Sequence, residues 1–410
     1  MVVASGANAV LGIVFWVVAA KLFQPAELGV MTAVLAVITS VGVVVATGIG
    51  DSYTALLPAV GTDRPSVYRR GQRLFAVLVL IGATAAAIGT VSWLDEVRGS
   101  TSVAILVAVG VAVWAVANLQ NSTLIALGRA SWLPGVNIAI SAGKLVLLPL
   151  FAFTLAWHPL EVAFVLAACV VTTVVAPRIV RIVDSGEDLP SSTIPGGLAV
   201  RDVYRFVGQT TASSALTMGL FLVSPFLVAV WSNPGQGALF SLSLAIVQTL
   251  DLIGAALSTS MVVHASSCPE DAGLMARATL VKAVFVSVIG AAVLIAVGPT
   301  VLRLLNAQYG SMGATAVVAT LAVGTICRLV YQVWAGLQRA RRRMRAPLLF
   351  NIVSAGVLLV SMPLLCNWRG ALGGAQALLL AQLALSLGMG LHYLAGKVQN
   401  RGEKLRVDGR

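Results

Sequence analysis

Four ionisable residues stand inside apolar stretches of the chain. Lys144 lies within ISAGKLVLLPL, Arg328 within TICRLVYQVW, Asp51 within TGIGDSYTALLP and Asp251 within IVQTLDLIGAA. A charge near the centre of a bilayer costs roughly 2.5–3.5 kcal/mol on insertion scales, so each of the four requires a role. As the lining of a central, water-filled cavity, Lys144 and Arg328 would meet an anionic substrate. Asp51 and Asp251 would then act as counter-ions or as ion-coupling groups. The alternative is that acid and cation pair with each other as structural glue. Uncharged polar residues add a second set: Asn118, Gln120, Asn121, Ser122, Asn137 and Ser141, with Gln332 and Asn351 further along. Their amides and hydroxyls suit sugar hydroxyls. They also suit hydrogen bonds between helices, worth about 0.6 kcal/mol each inside a membrane. The Gly-x-Gly of TGIGDS would loosen the helix beside Asp51, as broken helices do at transport sites.

The elements that hold these residues follow from composition. Hydrophobic residues make up 58% of the 410 and charged residues 10%, with a mean hydropathy of +0.94. Soluble domains carry about 25% charged residues. Runs of about 20 apolar residues recur, each long enough to cross the hydrocarbon as a helix. They are continuously apolar, whereas barrel strands would alternate. The expected fold class is an all-α polytopic membrane protein of about twelve transmembrane helices in two six-helix bundles. The spans fall at 3–23, 29–58, 72–94, 103–127, 131–153, 160–180, 203–231, 237–263, 277–300, 312–337, 346–367 and 371–396. The first is read as a retained helix, because no basic n-region or cleavage site precedes it.

Lys and Arg placement orients the spans. Twenty-one of the 27 fall in loops after even-numbered spans or in the tail, including Arg64, Arg129, Arg178, Arg277, Arg339 and Lys397. Four (Lys21, Arg98, Arg303 and Arg369) fall after odd-numbered spans. Lys144 and Arg328 are the other two. By the positive-inside rule, both termini are cytoplasmic. A Gly-, Pro- and Ser-rich stretch at 181–202 reads as a cytoplasmic linker. It separates an N-terminal bundle (1–180) from a C-terminal bundle (203–396), and a basic tail (397–410) follows. GVMTAVLAVI (29–38) and GALFSLSLAI (237–246) open the second span of each half, and Asp51 and Asp251 occupy those same spans. That echo is consistent with an internal repeat.

Several function classes drop out. The formal charge of +12 is dispersed in short loops, which argues for topology and against nucleic acid as a partner. Cys169, Cys268, Cys327 and Cys366 are scattered, so no metal site or disulfide framework is expected. No G-x-x-x-x-G-K-[ST] loop is present. G-x-S-x-G, H-E-x-x-H and a loop large enough to carry catalysis are likewise missing. The chain reads as a non-enzyme with no cofactor. The basic run RARRRMR (339–345) serves as a topology anchor and a contact for anionic membrane lipids. His158, His264 and His392 receive no role. Trp16, Trp93, Trp132, Trp157, Trp231 and Trp368 read as interfacial anchors.

The first two spans carry a resemblance. Residues 8–58, with Ala19–Phe23, Pro25–Gly29, Gly48, Gly50 and Pro58, are similar to the opening of bacterial polysaccharide exporters. These belong to the multidrug/oligosaccharidyl-lipid/polysaccharide (MOP) superfamily. LRLLNAQYGSMG (302–313) resembles the short extracytoplasmic segment before the tenth helix of those proteins, with Tyr309 and Gly313 in place. Members carry several more residues before the first helix, a departure that leaves two alternatives open: a natural start upstream of Met1, or a short first helix. What it implies is a flippase of the bacterial plasma membrane, moving an undecaprenyl-pyrophosphate-linked oligosaccharide by alternating access of two lobes. Its partners would be membrane lipids, the anionic lipid-linked glycan, and proteins of polysaccharide synthesis and polymerisation. Two other functions remain compatible with the residues. One is a multidrug antiporter in which Asp51 or Asp251 binds Na⁺ or H⁺; the other is a non-transporting membrane scaffold.

Overall fold

The computed structural model describes the backbone of residues 2–57, 64–154, 157–185, 208–209, 212–213, 215–267, 272–340 and 345–408. Within these, side chains are described except at 2–9, 55–56, 251–280, 282–283, 339–340 and 392–408. The described residues form helices and no strands. In chain order the long helices are α1 (Val2–Leu22), α2 (Pro25–Leu56), α3 (Arg64–Trp93), α4 (Thr101–Ala126), α5 (Leu133–Thr154) and α6 (Pro159–Ser185). Then come α7 (Leu220–Trp231), α8 (Pro234–Ser267), α9 (Ala272–Leu305) and α10 (Ala314–Ala340), with a short helix at Ala307–Ser311. A continuous helical run from Arg345 to Asp408 turns back at Gly370, whose φ of 55° and ψ of −130° are non-helical. It therefore counts as two helices, α11 (345–369) and α12 (371–408).

By length and apolarity, eight described helices can each cross a membrane, the Arg345–Leu391 stretch counting once. Its reversal at Gly370 adds a ninth, and Val10–Leu22 and Ala215–Trp231 are shorter apolar helices. With α8, whose side chains are undescribed from 251 onward, the expected twelve are present as helices. The all-α polytopic membrane reading therefore holds.

Local chemistry sets the helix ends. Pro25, Pro159 and Pro234 each open a helix, where a missing N–H loses nothing and φ is already suitable. Asn233 Oδ1 accepts the Gln236 N–H at 3.0 Å ahead of α8. Gly128 follows α4 with φ +68°, the left-handed conformation that commonly stops helices. Several helices outrun their expected spans. α3 begins at Arg64, eight residues before the apolar run, because hydropathy locates the hydrocarbon and not the last hydrogen-bonded turn. One expected span is interrupted: 203–231 contains a π-helical turn at Ala215–Gly219. There Ser40 Oγ of α2 donates to the Gly219 carbonyl at 2.7 Å. A Cβ on Gly219 would meet Val44, so this position brings α2 against the start of α7.

Helices α1 to α6 pack among themselves, with α4 against α2, α3 and α6, and α5 against α1 and α6. Helix α10 packs on α8, α9 and the α11–α12 pair, and α7 on α8 and that pair. Helix α2 lies on α7 and α8 as well, joining the two groups. Where α2 and α8 begin, the approach is close: a Cβ built on Gly29 would lie 1.7 Å from the Pro234 carbonyl oxygen. The last residue of the Pro25–Gly29 motif is therefore a packing requirement. Gln236 Oε1 accepts the Ala371 N–H at 2.9 Å beside this point, tying α8 to the Gly370 turn. Large apolar side chains such as Leu80, Val146 and Phe153 point outward, as a lipid-facing surface requires.

Between α5 and α6, His158 adopts φ 45° and its carbonyl accepts the Val162 N–H. Its Nδ1 lies 2.9 Å from Oε1 of Glu161, which is fully buried. An acid in the first turn also complements the helix dipole. Burial alone would lower the imidazole pKa. The hydrogen bond and charge of Glu161 outweigh it and hold His158 above its ordinary 6.5.

Two predictions follow from the packing and the pair. Gly29→Ala should lower thermal stability in detergent by about 1–3 kcal/mol, since the obstacle is backbone and not a flexible side chain. Gly12→Ala, with nothing within 4 Å, should not change it. For His158, the raised pKa means its contribution is fully present below about pH 6.5. That contribution is lost as pH rises through the higher folded-state value. Thermal unfolding of His158→Ala and wild type should therefore differ most at acid pH, and a gap that widens with rising pH would refute the pairing.

Candidate functional site

A cavity of about 240 Å³ opens among α7, α10, α11 and α12. Helix α10 contributes Arg328, Tyr331, Gln332, Ala335 and Gly336, a spacing that lines one helical face. From α11 come Asn351, Ser354, Ala355 and Leu358, and from α12 Leu378, Ala381, Gln382 and Leu385. The segment leading into α7 adds Ser213, Thr217 and Met218, and α7 itself Phe221. The described lining carries one charged side chain, Arg328, and no carboxylate. Arg328 stacks on Phe221, with Cζ 3.8 Å from the ring centroid. Its Nη2 lies 4.0 Å from Met218 Sδ.

A buried polar network forms one wall. Tyr331 donates its hydroxyl to Asn351 Oδ1 at 2.8 Å, with the Pro347 carbonyl as a second acceptor at 3.1 Å. Asn351 Nδ2 donates to the Ser213 carbonyl at 3.3 Å and to Ser213 Oγ. The start of α7 is thereby bonded to α10 and α11. Ser354 Oγ donates to the Ala381 carbonyl at 2.8 Å, linking α11 to α12. Opposite, the Gln382 amide rests on Gly324, where a Cβ would fall 2.3 Å from Oε1. Among the described residues Gln382 makes no hydrogen bond, and its Oε1 is buried. Sequence reading places Arg328, Gln332 and Asn351 as candidates, and the fold brings all three to this cavity. It does not find Gln382, which stands in the apolar run QALLLAQLAL. The signal available was the Gly324–Arg328–Tyr331–Gln332 stripe, which needs a small residue facing a larger one on a neighbouring helix.

The lining of this cavity does not include Lys144. Lys144 sits in the first group of helices. Its Nζ is 4.6 Å from the Phe15 ring centroid on α1 and 5.5 Å from that of Phe164 on α6. Among the described residues, no carboxylate comes within ion-pairing reach of it. A desolvated cation–π contact is worth about 2 kcal/mol or more, against an insertion cost of roughly 2.5–3.5 kcal/mol. Two aromatic faces are of the size needed to hold this charge without an acid. The acid–cation pairing alternative therefore does not describe Lys144.

The other candidates disperse. Asp51 is half-buried near the end of α2, and the side chain of Asp251 lies outside the described residues. Asn118 donates back to Trp114 of its own helix at 2.8 Å. Gln120 reaches across to the Thr172 carbonyl on α6 at 3.0 Å. Asn121 is half-buried, its Oδ1 making no hydrogen bond among the described residues, and Asn137 is half-buried on α5. Ser122 faces Gly50 at the α2–α4 crossing, which accounts for the second Gly of TGIGDS by packing. A further cavity of about 180 Å³ lies between α1, α8 and α9, lined by Trp16, Gln248 and Leu302 among others.

No family model matches the sequence, and no curated protein matches it. Solved structures do. A lipid II flippase MurJ in an inward closed conformation superposes with a TM-score of 0.69 at 11% identity, over 95% of this chain and 86% of that one. An inward-facing multidrug resistance MATE family transporter of the MOP superfamily gives 0.61 at 14% identity, over 97% and 95%. A MOP superfamily transporter from Pyrococcus furiosus, described as having a binding pocket of reversed polarity, gives 0.59 at 15% identity, over 97% and 95%. The chain therefore has the fold of these transporters and flippases.

The Tyr331–Asn351–Ser213 network carries its own prediction. Asn351→Leu leaves buried polar partners unmet and should destabilise the protein by about 1–3 kcal/mol. Asn351→Asp keeps the acceptor for Tyr331 but buries a carboxylate against the Ser213 carbonyl, so its melting temperature in detergent should fall at least as far as that of the Leu variant.

Proposed function

We propose that the protein is a flippase that moves an anionic lipid-linked oligosaccharide or polysaccharide precursor across the bacterial plasma membrane. The carrying observation is Arg328. A guanidinium stacked on Phe221, in a cavity whose described lining has amides and hydroxyls but no carboxylate, suits an anion bearing hydrogen-bonding groups. Guanidinium is the side chain best matched to phosphate geometry, and an ionised partner strengthens each hydrogen bond. Gln332 would meet glycan hydroxyls, while Asn351 holds Tyr331 and Ser213 together in the cavity wall. Helices 1–180 and 203–396 act as two six-helix lobes joined by the 181–202 linker, and alternating access moves one against the other about α2. The termini and the basic tail face the cytoplasm, in keeping with the Lys and Arg distribution. Proteins of polysaccharide synthesis and polymerisation are the expected partners.

The fold serves a second reading equally, since multidrug transporters share it. Asp51, half-buried on α2, or Asp251 would bind a coupling cation in such an antiporter. A cavity whose described lining is charged only by Arg328 disfavours a cationic cargo, so this reading comes second.

Arg328→Gln should reduce export of the surface glycan about tenfold or more, the loss expected for a charge-assisted hydrogen bond of about 1.5–3 kcal/mol, and leave lipid-linked glycan in the inner leaflet. Arg328→Lys should fall between, because it keeps the charge and loses the fork and the stack. Full export by the Gln variant at wild-type protein levels would refute the assignment. A deletion strain sensitised to cationic drugs, with its glycan unaffected, would favour the antiporter.

A further inference from the structure

Lys144 has no part in the cavity around Arg328, and its surroundings have the form of a recognition site. The ammonium lies over Phe15 at 4.6 Å and Phe164 at 5.5 Å. Both rings are buried, at 1% and 6% exposure, so neither face is open to water. Phe164 is held in turn by Trp114 of α4, with ring centroids 4.7 Å apart. Three helices thus fix the rings, and a fourth, α5, delivers the charge. The α5–α6 spacing that lets the lysine stem reach between them is set at Gly143, where a Cβ would press on Ala167 at 3.1 Å.

Aromatic faces shielded from water attract an ammonium through the ring quadrupole, the same physics by which aromatic cages take free quaternary ammonium ligands. We propose that the space between Phe15 and Phe164 is a binding site for a small organic ammonium ion, and that Lys144 is its built-in occupant. A tethered ligand competes at an effective concentration in the millimolar range or above, so a free cation enters poorly while the lysine is there. Lys144 thereby determines specificity: it makes the N-terminal half refuse cationic ligands. This holds whichever cargo the protein carries, since it depends only on the ring geometry.

The test uses purified full-length protein in detergent, with tetramethylammonium as the probe and tert-butanol as a neutral molecule of similar size. Tetramethylammonium should raise the melting temperature of Lys144→Ala in a concentration-dependent way and leave wild type unchanged. Tert-butanol should raise neither. Adding Phe15→Leu to Lys144→Ala should abolish the response. An unresponsive Lys144→Ala protein, an equal response in wild type, or a response that survives Phe15→Leu would each overturn the proposal. If Lys144→Ala does not yield folded protein, a double-mutant cycle of Phe15→Leu and Lys144→Met decides it. The two changes should be clearly non-additive in melting temperature, and additivity would show that the ring does not hold the ammonium.

Discussion

The hydrocarbon core supplies no water, so each polar group within it is satisfied by the chain itself or is left costly. Most hydroxyls meet this locally. Thr90, Thr123 and Thr325 donate to the carbonyls of Ala86, Leu119 and Leu321 on their own helices. A smaller set reaches a neighbour: Ser40 to Gly219, Gln120 to Thr172, Ser354 to Ala381 and Ser386 to Cys327. Lipid tails are as apolar as the side chains, so burial of apolar surface does not select which helices meet. Close packing at small residues and these few cross-links do.

The same constraint divides the two intramembrane cations. Arg328 lies at a cavity with hydroxyls and amides around it and one aromatic face beside it. Lys144 lies against two aromatic rings. Their chemistry is therefore different although their sequence contexts look alike. The arginine brings fork-like donors to a polar cavity. A lysine whose ammonium is already seated on Phe15 and Phe164 is engaged.

Helix α2 carries much of the architecture. It packs on α3 and α4 along one side and on α7 and α8 along the other, and its small residues sit at the crossings. Gly29 meets Pro234, Gly42 meets Trp114, and Gly50 meets Ser122. The π-helical turn before α7 lies where Ser40 draws on the Gly219 carbonyl. A wide turn of this kind is common at functional positions, and here it borders the Arg328 cavity.

Much of the fold was legible in the sequence. The apolar runs located the helices to within a few residues, apart from the uneven ends at Arg64 and Asp408 and the π-turn at Ala215–Gly219. Hydropathy reports transfer of each segment into lipid, a local property that does not depend on neighbours. The Pro25–Gly29 motif marked a real feature, although its reason, contact with Pro234 more than 200 residues away, was not readable there. The candidate site was half legible. Arg328, Gln332 and Asn351 stood out by type, whereas Gln382 lay unnoticed in an apolar run and Asn118 proved to bond its own helix.

The intramembrane residues with which the reading began show where sequence ends. By itself the sequence determined that the chain is helical, that it crosses the membrane many times, and that Lys144 and Arg328 are buried charges in need of a host. Only the tertiary structure decided what hosts them: Phe221 and a polar cavity for Arg328, Phe15 and Phe164 for Lys144. Membrane insertion scores each segment alone. The partners of a side chain come from other helices, and they are chosen by the packing of glycines and rings that no single segment contains.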